Sequence, residues 1–377
     1  MKIGKKASAF VALSLLALSA IIVYGYHHWY AGKPQRGDLL SMMPTDASAV
    51  IYLNLAELKQ SPFLAKLFTW APKPAADSDY LQFLHDTGFD YERDLDRAAF
   101  AIEKHEQNFT LFSVVEGRFD KKKIAAYATR AGRIEKQGAN EAYSFPVNGS
   151  ANHVSFVFLS EDRLAITNDS NIASSSSSLK PLQNNTDARS WKIRFDRLAG
   201  TPIFAVIRQD VATGSPLAGR MTGNVLAQRG WQSPQLSSLL DQLQWITIAA
   251  KSEGDQLRMV SEGECANEAS MRQLSDLLNG VLLLMEAGLN DRKTKAQLDP
   301  MLRKVYLEML KSAEVSTIDR GETKSVRLMF NVTPQFLEIA GSMAPMLPAP
   351  QSDVPRRRLP HRKNKAKPVQ KPPITGR

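Results

Sequence analysis

The chain carries a single cysteine, Cys265, among 377 residues. One thiol excludes an intramolecular disulfide and any metal cage built from several cysteines. It leaves a buried thiol, or pairing between chains, as the roles open to Cys265. Catalytic signatures are missing as well. There is no G-x-S-x-G elbow, no P-loop and no G-x-G-x-x-G, so the patterns of hydrolase, nucleotide-phosphate and dinucleotide sites are absent. The histidines are His27, His28, His85, His105, His153 and His361. None forms an H-E-x-x-H or another close metal pair within the body of the chain, and His27-His28 falls at the expected membrane boundary. Long apolar runs are scarce: beyond the N-terminus none approaches 18 residues, and "NGVLLLMEAGL" (279–289) has the length of a buried helix.

One acidic cluster merits a closer look. "TGFDYERDLDR" (87–97) places Asp90, Glu92, Asp94 and Asp96 at alternate positions. An EF-hand loop needs Gly at its sixth position and Glu at its twelfth. Those positions hold Leu95 and Ala101. The segment is instead expected to be a turn and helix cap, with Arg93 and Arg97 as charge partners. No catalytic residue, cofactor site or metal site is therefore expected, and the chain is read as not an enzyme. An envelope enzyme with a site assembled from dispersed Asp, His and Ser is the alternative.

Charge of one sign is concentrated at the ends. The formal net charge is +10. Residues 1–37 hold five basic residues and no acid, and residues 345–377 hold nine against Asp353, so the middle of the chain carries −3. A basic whole-chain balance thus says nothing about a nucleic-acid-binding fold. "ASAFVALSLLALSAIIVYGY" (7–26) is twenty residues without a charge. At about 1.5 Å per residue this spans a bilayer core of roughly 30 Å. A cleaved signal peptide competes, with "ALSA" as its site, but "IIVY" prolongs the apolar run and Tyr24, Tyr26, Trp29 and Tyr30 form an interfacial belt. No cysteine follows to carry a lipid. Lys2, Lys5 and Lys6 before the span, against Lys33 and Arg36 after it, orient the N-terminus inward. The expectation is a single-pass protein of the inner membrane with an extracytoplasmic, periplasmic body.

From Pro345 onward eight prolines accompany the run "VPRRRLPHRKNKAKPVQKPP". Such a segment cannot bury enough apolar surface to offset its ordering entropy, so a disordered tail is expected. Arg356, Arg357, Arg358, Arg362, Lys363, Lys365 and Lys367 make it a candidate anion-binding element. Its partners would be anionic envelope polymer or lipid headgroups, or it serves as a solvated spacer. Nucleic acid would require the reversed topology.

The body reads as two similar units. "DASAVIYLNLAELKQSPFLAKLF" (46–68) is matched by "TPIFAVIRQDVATGSPLAGRM" (201–221), with Ser61-Pro62 on Ser215-Pro216. Each Ser-Pro marks a helix start. Further on, "AAFAIEKHEQNFTLFSVVEG" and "WITIAAKSEGDQLRMVSEG" both read strand, turn, strand, Glu-Gly, which places Glu116-Gly117 on Glu262-Gly263. Asp120 and Asn267 are then expected as N-caps. Apolar stripes follow at Ile124, Tyr127, Ala128 and Ala131, and at Met271, Leu274, Leu277, Leu278, Val281, Leu282 and Met285. The second unit adds a helix opened by Asp299-Pro300, with Met301, Leu302, Val305, Tyr306, Met309 and Leu310 on its buried side. Strands "AYSFPV", "HVSFVFL" and "RLAIT" close the first unit; "EVSTI" and "KSVRLMFNV" close the second.

The expected fold is α+β: two duplicated units of antiparallel sheet with helices on one face, preceded by one transmembrane helix. The expected boundaries are 1–37 for the anchor and juxtamembrane segment, 38–185 and 186–344 for the units, and 345–377 for the tail. The Ser- and Asn-rich stretch 169–190 is the expected joint. Whether the two sheets are separate or continuous is left open.

The stretches "MPTDASAVIYLNL", "TGFDYERDL", "EGRFDKKKIAAYA" and "GTPIFAVIR" resemble a group of uncharacterised, signal-anchored bacterial envelope proteins. The resemblance covers roughly residues 42–210. It implies a Pro-x-Asp-Ala strand opening, a Thr-Gly-x-Asp turn and a Gly-x-Phe-Asp helix start. It implies no activity and no functional residues. In the second unit Glu264-Cys265 stands where the pattern has Arg118-Phe119. The function expected from all of this is that of a membrane-tethered, non-catalytic binding or structural protein of the cell envelope.

Overall fold

The computed structural model describes residues 37–63, 78–105, 108–137, 140–146, 153–169, 186–208 and 243–343. The expected span at 7–26, Ser215-Pro216, and the basic tail with Arg356, Arg357, Arg358, Arg362, Lys363, Lys365 and Lys367 lie outside them. Among the described residues no helix is long and apolar enough to cross a membrane.

The first half contributes β1 (Ala49–Asn54), β2 (Leu95–His105), β3 (Asn108–Gly117), β4 (Arg133–Gln137), β5 (Asn140–Pro146), β6 (His153–Phe158) and β7 (Arg163–Thr167). The second contributes β8 (Ile203–Arg208), β9 (Leu243–Glu253), β10 (Gln256–Cys265), β11 (Glu314–Asp319) and β12 (Lys324–Val332). All join one 12-stranded sheet in the order β11-β12-β10-β9-β8-β1-β2-β3-β7-β6-β5-β4. Every pairing is antiparallel. The sheet is continuous through the β1–β8 pair, where Val50 faces Val206 and Tyr52 faces Phe204. The Tyr52 and Phe204 rings stack at 5.1 Å.

The helices are α1 (Gly37–Ser41), α2 (Leu55–Leu58), α3 (Ser78–Thr87), α4 (Tyr91–Asp94), α5 (Lys121–Ala131), α6 (Thr186–Arg197), α7 (Glu268–Asn290), α8 (Arg292–Gln297), α9 (Pro300–Lys311) and α10 (Pro334–Met343). The N-caps stand where local chemistry places them. Asp120 accepts from Lys123 N, Asn267 from Ser270 N, and Asp299 from Met301 N and Leu302 N ahead of Pro300. Each satisfies backbone donors that the first turn leaves open.

Successive strand residues point to opposite faces, and both faces are covered. Leu53, Ala98, Val115 and Leu164 belong to one core, with Leu58 of α2, Ile124 of α5, Val305 of α9 and Phe336 of α10. Tyr52, Ala99, Val114 and Ala165 belong to the other, with Leu39 of α1 and Trp191 and Phe195 of α6. The expectation of helices on one face is therefore corrected. The strands alternate between two apolar sets, and α6 closes the second set. Trp191 meets Trp245 of β9 edge-on at 4.9 Å and its indole N–H donates to Thr45 O at 3.0 Å. Helix α6 also begins inside the stretch read as a joint: Thr186–Ser190 is helical. Two buried stripes are shorter than their periodicity suggests. In α7 only Ser270, Met271 and Leu274 are buried. In α9 Met301 is 58% exposed, while Leu302, Val305, Tyr306, Met309 and Leu310 are buried.

Candidate functional site

Two local motifs build the site. Gly88 takes φ +71° after α3, a left-handed turn that favours glycine. Thr87 Oγ1 donates to Phe83 O at 2.7 Å and accepts from Phe89 N at 3.1 Å. Asp90 then caps α4, its carboxylate accepting from Glu92 N. Phe89 thus sits immediately before a capping aspartate, as Phe119 does before Asp120. That is the position from which an apolar side chain packs back against the helix it precedes. The two rings stack with centroids 5.2 Å apart. Phe83 adds edge contacts to Phe89 at 6.2 Å and to Tyr127 at 5.2 Å.

Between these aromatics, α5 and the sheet lies a cavity of about 260 Å³. Val115, Phe156, Leu164 and Ile166 form its sheet wall, and Ile124, Tyr127 and Ala128 its helical wall. The surface facing it is entirely apolar. The space is half open to solvent, so it is a groove into the core rather than a sealed void. Water is a poor filler where no wall group can hydrogen-bond to it. The geometry suits an apolar guest, and the described residues that line it turn no acid, base or nucleophile toward it.

Phe119 also lines a second, open cleft of about 670 Å³. Here the walls are charged: Arg118, Lys121 and Lys122 against Asp120, Glu161 and Asp162. Lys121 Nζ is 2.9 Å from Glu161 and 5.4 Å from the centre of the Phe158 ring. The Asp120 carboxyl is held below its ordinary range, chiefly by the backbone N–H of Lys123.

The strongest ionic groups lie elsewhere. Glu116 and Arg97 face each other across β3 and β2 at 2.6 Å, each side chain 2% exposed, and Arg163 of β7 approaches the other oxygen at 3.3 Å. Glu262 of β10 is gripped by Arg320 at 2.5 and 3.1 Å and by Arg327 at 3.0 Å. Burial alone would raise the Glu262 carboxyl, but these hydrogen bonds outweigh it and hold the group below the ordinary range. Glu264 pairs with Arg194 and, at 2.8 Å, with Arg197. Burial lowers the pKa of Arg194, opposed by Glu264, and its guanidinium lies 3.9 Å from the Trp245 ring centre. Each of these carboxylates is engaged by at least two guanidinium groups, Glu262 also lying 3.9 Å from Arg197, and none lines the cavity or the cleft. They read as closed structural pairs.

Lys59 and Asp96 are shifted by burial in opposite directions. The Lys59 side chain is 1% exposed and its ammonium is 3.9 Å from Asp96, donating also to Leu95 O at 3.3 Å. Burial pushes it down to about 8, opposed by Asp96. Burial raises Asp96, opposed by Lys59. Neither lines the cavity or the cleft.

The acidic cluster at 87–97 is a cap and turn, with Arg93 paired to Asp94 at 2.6 Å. Arg97 acts on its neighbour Asp96 through its charge and donates its hydrogen bond to Glu116, nineteen positions on. His85 is exposed and lies 3.0 Å from Asp86, and His153 is half-buried on β6. Cys265 is buried, and burial pushes its thiol up. Among the described residues no group of three or more His, Cys, Asp or Glu side chains is placed to hold a metal. The sequence reading missed the cavity. Its one local signal is the repeated Phe-Asp at 89–90 and 119–120.

No family model and no curated protein matches the chain. Solved structures of TP0453 are similar at a distance. Crystal form III has 11% identity and a TM-score of 0.41, covering 83% of this chain and 99% of that one. Crystal form IV has 9% identity and a TM-score of 0.40, covering 81% and 96%. Nothing about ligand or activity is transferred from a likeness of this level.

Proposed function

We propose that this chain is a membrane-tethered, non-catalytic binding protein of the cell envelope, whose folded body takes an apolar guest. The observation that carries the reading is the wholly apolar cavity walled by Val115, Phe119, Ile124 and Leu164. Binding sites are concave and mostly apolar, and the described lining of this one is apolar. The charge-free stretch 7–26 supports a single-pass anchor with the N-terminus inside and the body outside. The basic tail supports attachment to anionic envelope polymer or lipid headgroups.

A duplicated architecture is part of the same proposal. Outward from the central pair the strands run β1-β2-β3-β7-β6 on one side and β8-β9-β10-β12-β11 on the other. Glu116 faces Arg163 on the next strand, and Glu262 faces Arg327 at the matching place. That order supports units at 38–185 and 186–344, with β4–β5 in one half answered by α8–α9 in the other.

The test uses the full-length protein in membranes and a photoreactive hydrocarbon that has no headgroup. Saturable labelling of peptides containing Phe119, Ile124 and Leu164 is expected. Labelling confined to 7–26 would sink the reading. Protease added to intact spheroplasts should digest the body, and protection would reverse the topology and leave nucleic acid as the tail's partner. Deletion after Ala344 should abolish binding to anionic vesicles at low salt without lowering the melting temperature.

A further inference from the structure

The apolar cavity and the charged cleft share Phe119 as a common wall. Along the same stretch Arg118, Lys121 and Lys122 line the cleft and Ile124 lines the cavity. Within one turn of α5 the surface therefore changes from charged to wholly apolar. A guest that satisfies both parts has an apolar body and a charged end. We infer that they form one site for a single-chain amphiphile whose headgroup carries both signs of charge, as in a lysophospholipid. This rests on the binding reading above and names its ligand class.

Volume sets the length of chain. A cavity of about 150 Å³ holds one benzene, so 260 Å³ accommodates about ten carbons in proportion. An alkyl chain needs no hydrogen-bond partner, which matches a lining that offers none. The remaining carbons and the headgroup emerge past Phe119. There the cleft presents three cations, Arg118, Lys121 and Lys122, and three carboxylates, Asp120, Glu161 and Asp162. A balanced set of charges answers a phosphate joined to an ammonium better than it answers a lone carboxylate. Lys122 is exposed and Glu161 is 89% exposed, so both are open to a headgroup. Asp120 is committed to capping α5.

The experiment places the full-length protein in membranes with lysophosphatidylethanolamine probes that carry a diazirine either at the terminal carbon or beside the headgroup. The terminal probe is expected to label peptides containing Val115, Leu164 and Ile166. The headgroup-proximal probe is expected to label 117–122. Labelling should saturate and be displaced by unlabelled lysophospholipid at several-fold lower concentration than by a fatty acid of equal length. Lys122→Glu together with Glu161→Lys exchanges two exposed charges and should preserve terminal labelling. Lys122→Glu alone should weaken it several-fold. The same pattern from both diazirine positions would overturn the assignment of chain to cavity and head to cleft. Equal displacement by the fatty acid would overturn the two-sign headgroup. If the headgroup-free hydrocarbon labels the cavity and neither amphiphile does, the inference fails and the binding reading stands. If nothing labels the cavity, both fail.

Discussion

Replacing Glu116 by alanine should destabilise the protein more than removing any exposed charge. Both Glu116 and Arg97 have side chains 2% exposed, with oxygen and nitrogen 2.6 Å apart. At an effective dielectric near 20 the gross attraction at that distance is about 6 kcal/mol, most of it cancelled by the cost of taking both ions out of water. Deleting one partner removes the attraction but leaves the desolvated guanidinium in place. The expected loss is about 3–5 kcal/mol. At about 2.1 cal/mol/K per residue over a body of roughly 300 residues, that corresponds to a melting-temperature fall of roughly 5–8 °C. Arg163 is 20% exposed and can recover water contact, so it adds little to the loss. Two comparisons isolate the mechanism. Removing both charges, with Arg97→Met and Glu116→Leu together, should restore most of the stability, because no uncompensated ion remains. Lys121→Ala breaks a pair whose acid is 89% exposed and should cost less than about 1 kcal/mol. Thermal and urea melts of the four proteins read the result. A single variant within about 1 kcal/mol of the parent, or a double variant as damaged as the single, would refute the argument.

Three further outcomes are expected. A methyl group added at Gly117 would lie 2.3 Å from the backbone oxygen of Asp94, while at Gly263 it would lie 3.0 Å from the movable end of Leu243; Gly117→Ala should therefore lose folded protein and Gly263→Ala should be mild, as yield and melting temperature will show. Lys59 sits near 8 in the folded chain and near its ordinary 10.5 unfolded, so between those values the unfolded chain holds more protons and this group's contribution to stability rises with pH. Relative to Lys59→Met, the parent should gain on the order of 1–3 kcal/mol from pH 8 to 10.5, measured by urea melts along that range; no relative gain would refute the buried ammonium. Asn267→Ala should cost about 1 kcal/mol, with Asn267→Asp close to neutral, and equal losses in both would show that the cap on Ser270 N is not the cause.

Much of the local structure was legible because its causes are local. Asp120, Asn267 and Asp299 cap helices through amides two or three positions away, so a short window of sequence contains the whole interaction. Strands β5, β6, β7, β11 and β12 were recognisable from apolar and β-branched runs of the right length. The periodicity of α7 and α9 located helices but overstated their burial, since Met301 repeats on schedule and is exposed among the described residues. The helices α3, α6 and α10 were not anticipated.

What only the tertiary structure decided is the set of pairings between distant residues. That β1 pairs with β8 over some 150 positions, and so makes the sheet continuous, depends on a register that neither strand encodes alone. The second helical face exists because Trp191 and Phe195 find Thr45, Trp245 and Phe204. Arg97 acts on its neighbour Asp96 but hydrogen-bonds to Glu116 of the strand beside it, where the bulge between Leu95 and Arg97 resets which side chains face one another. The cavity is the extreme case. Phe83, Phe89, Phe119, Ile124 and Leu164 are each ordinary core residues in sequence. The space left between them depends on how helices and sheet meet, and no residue type records a volume that is missing.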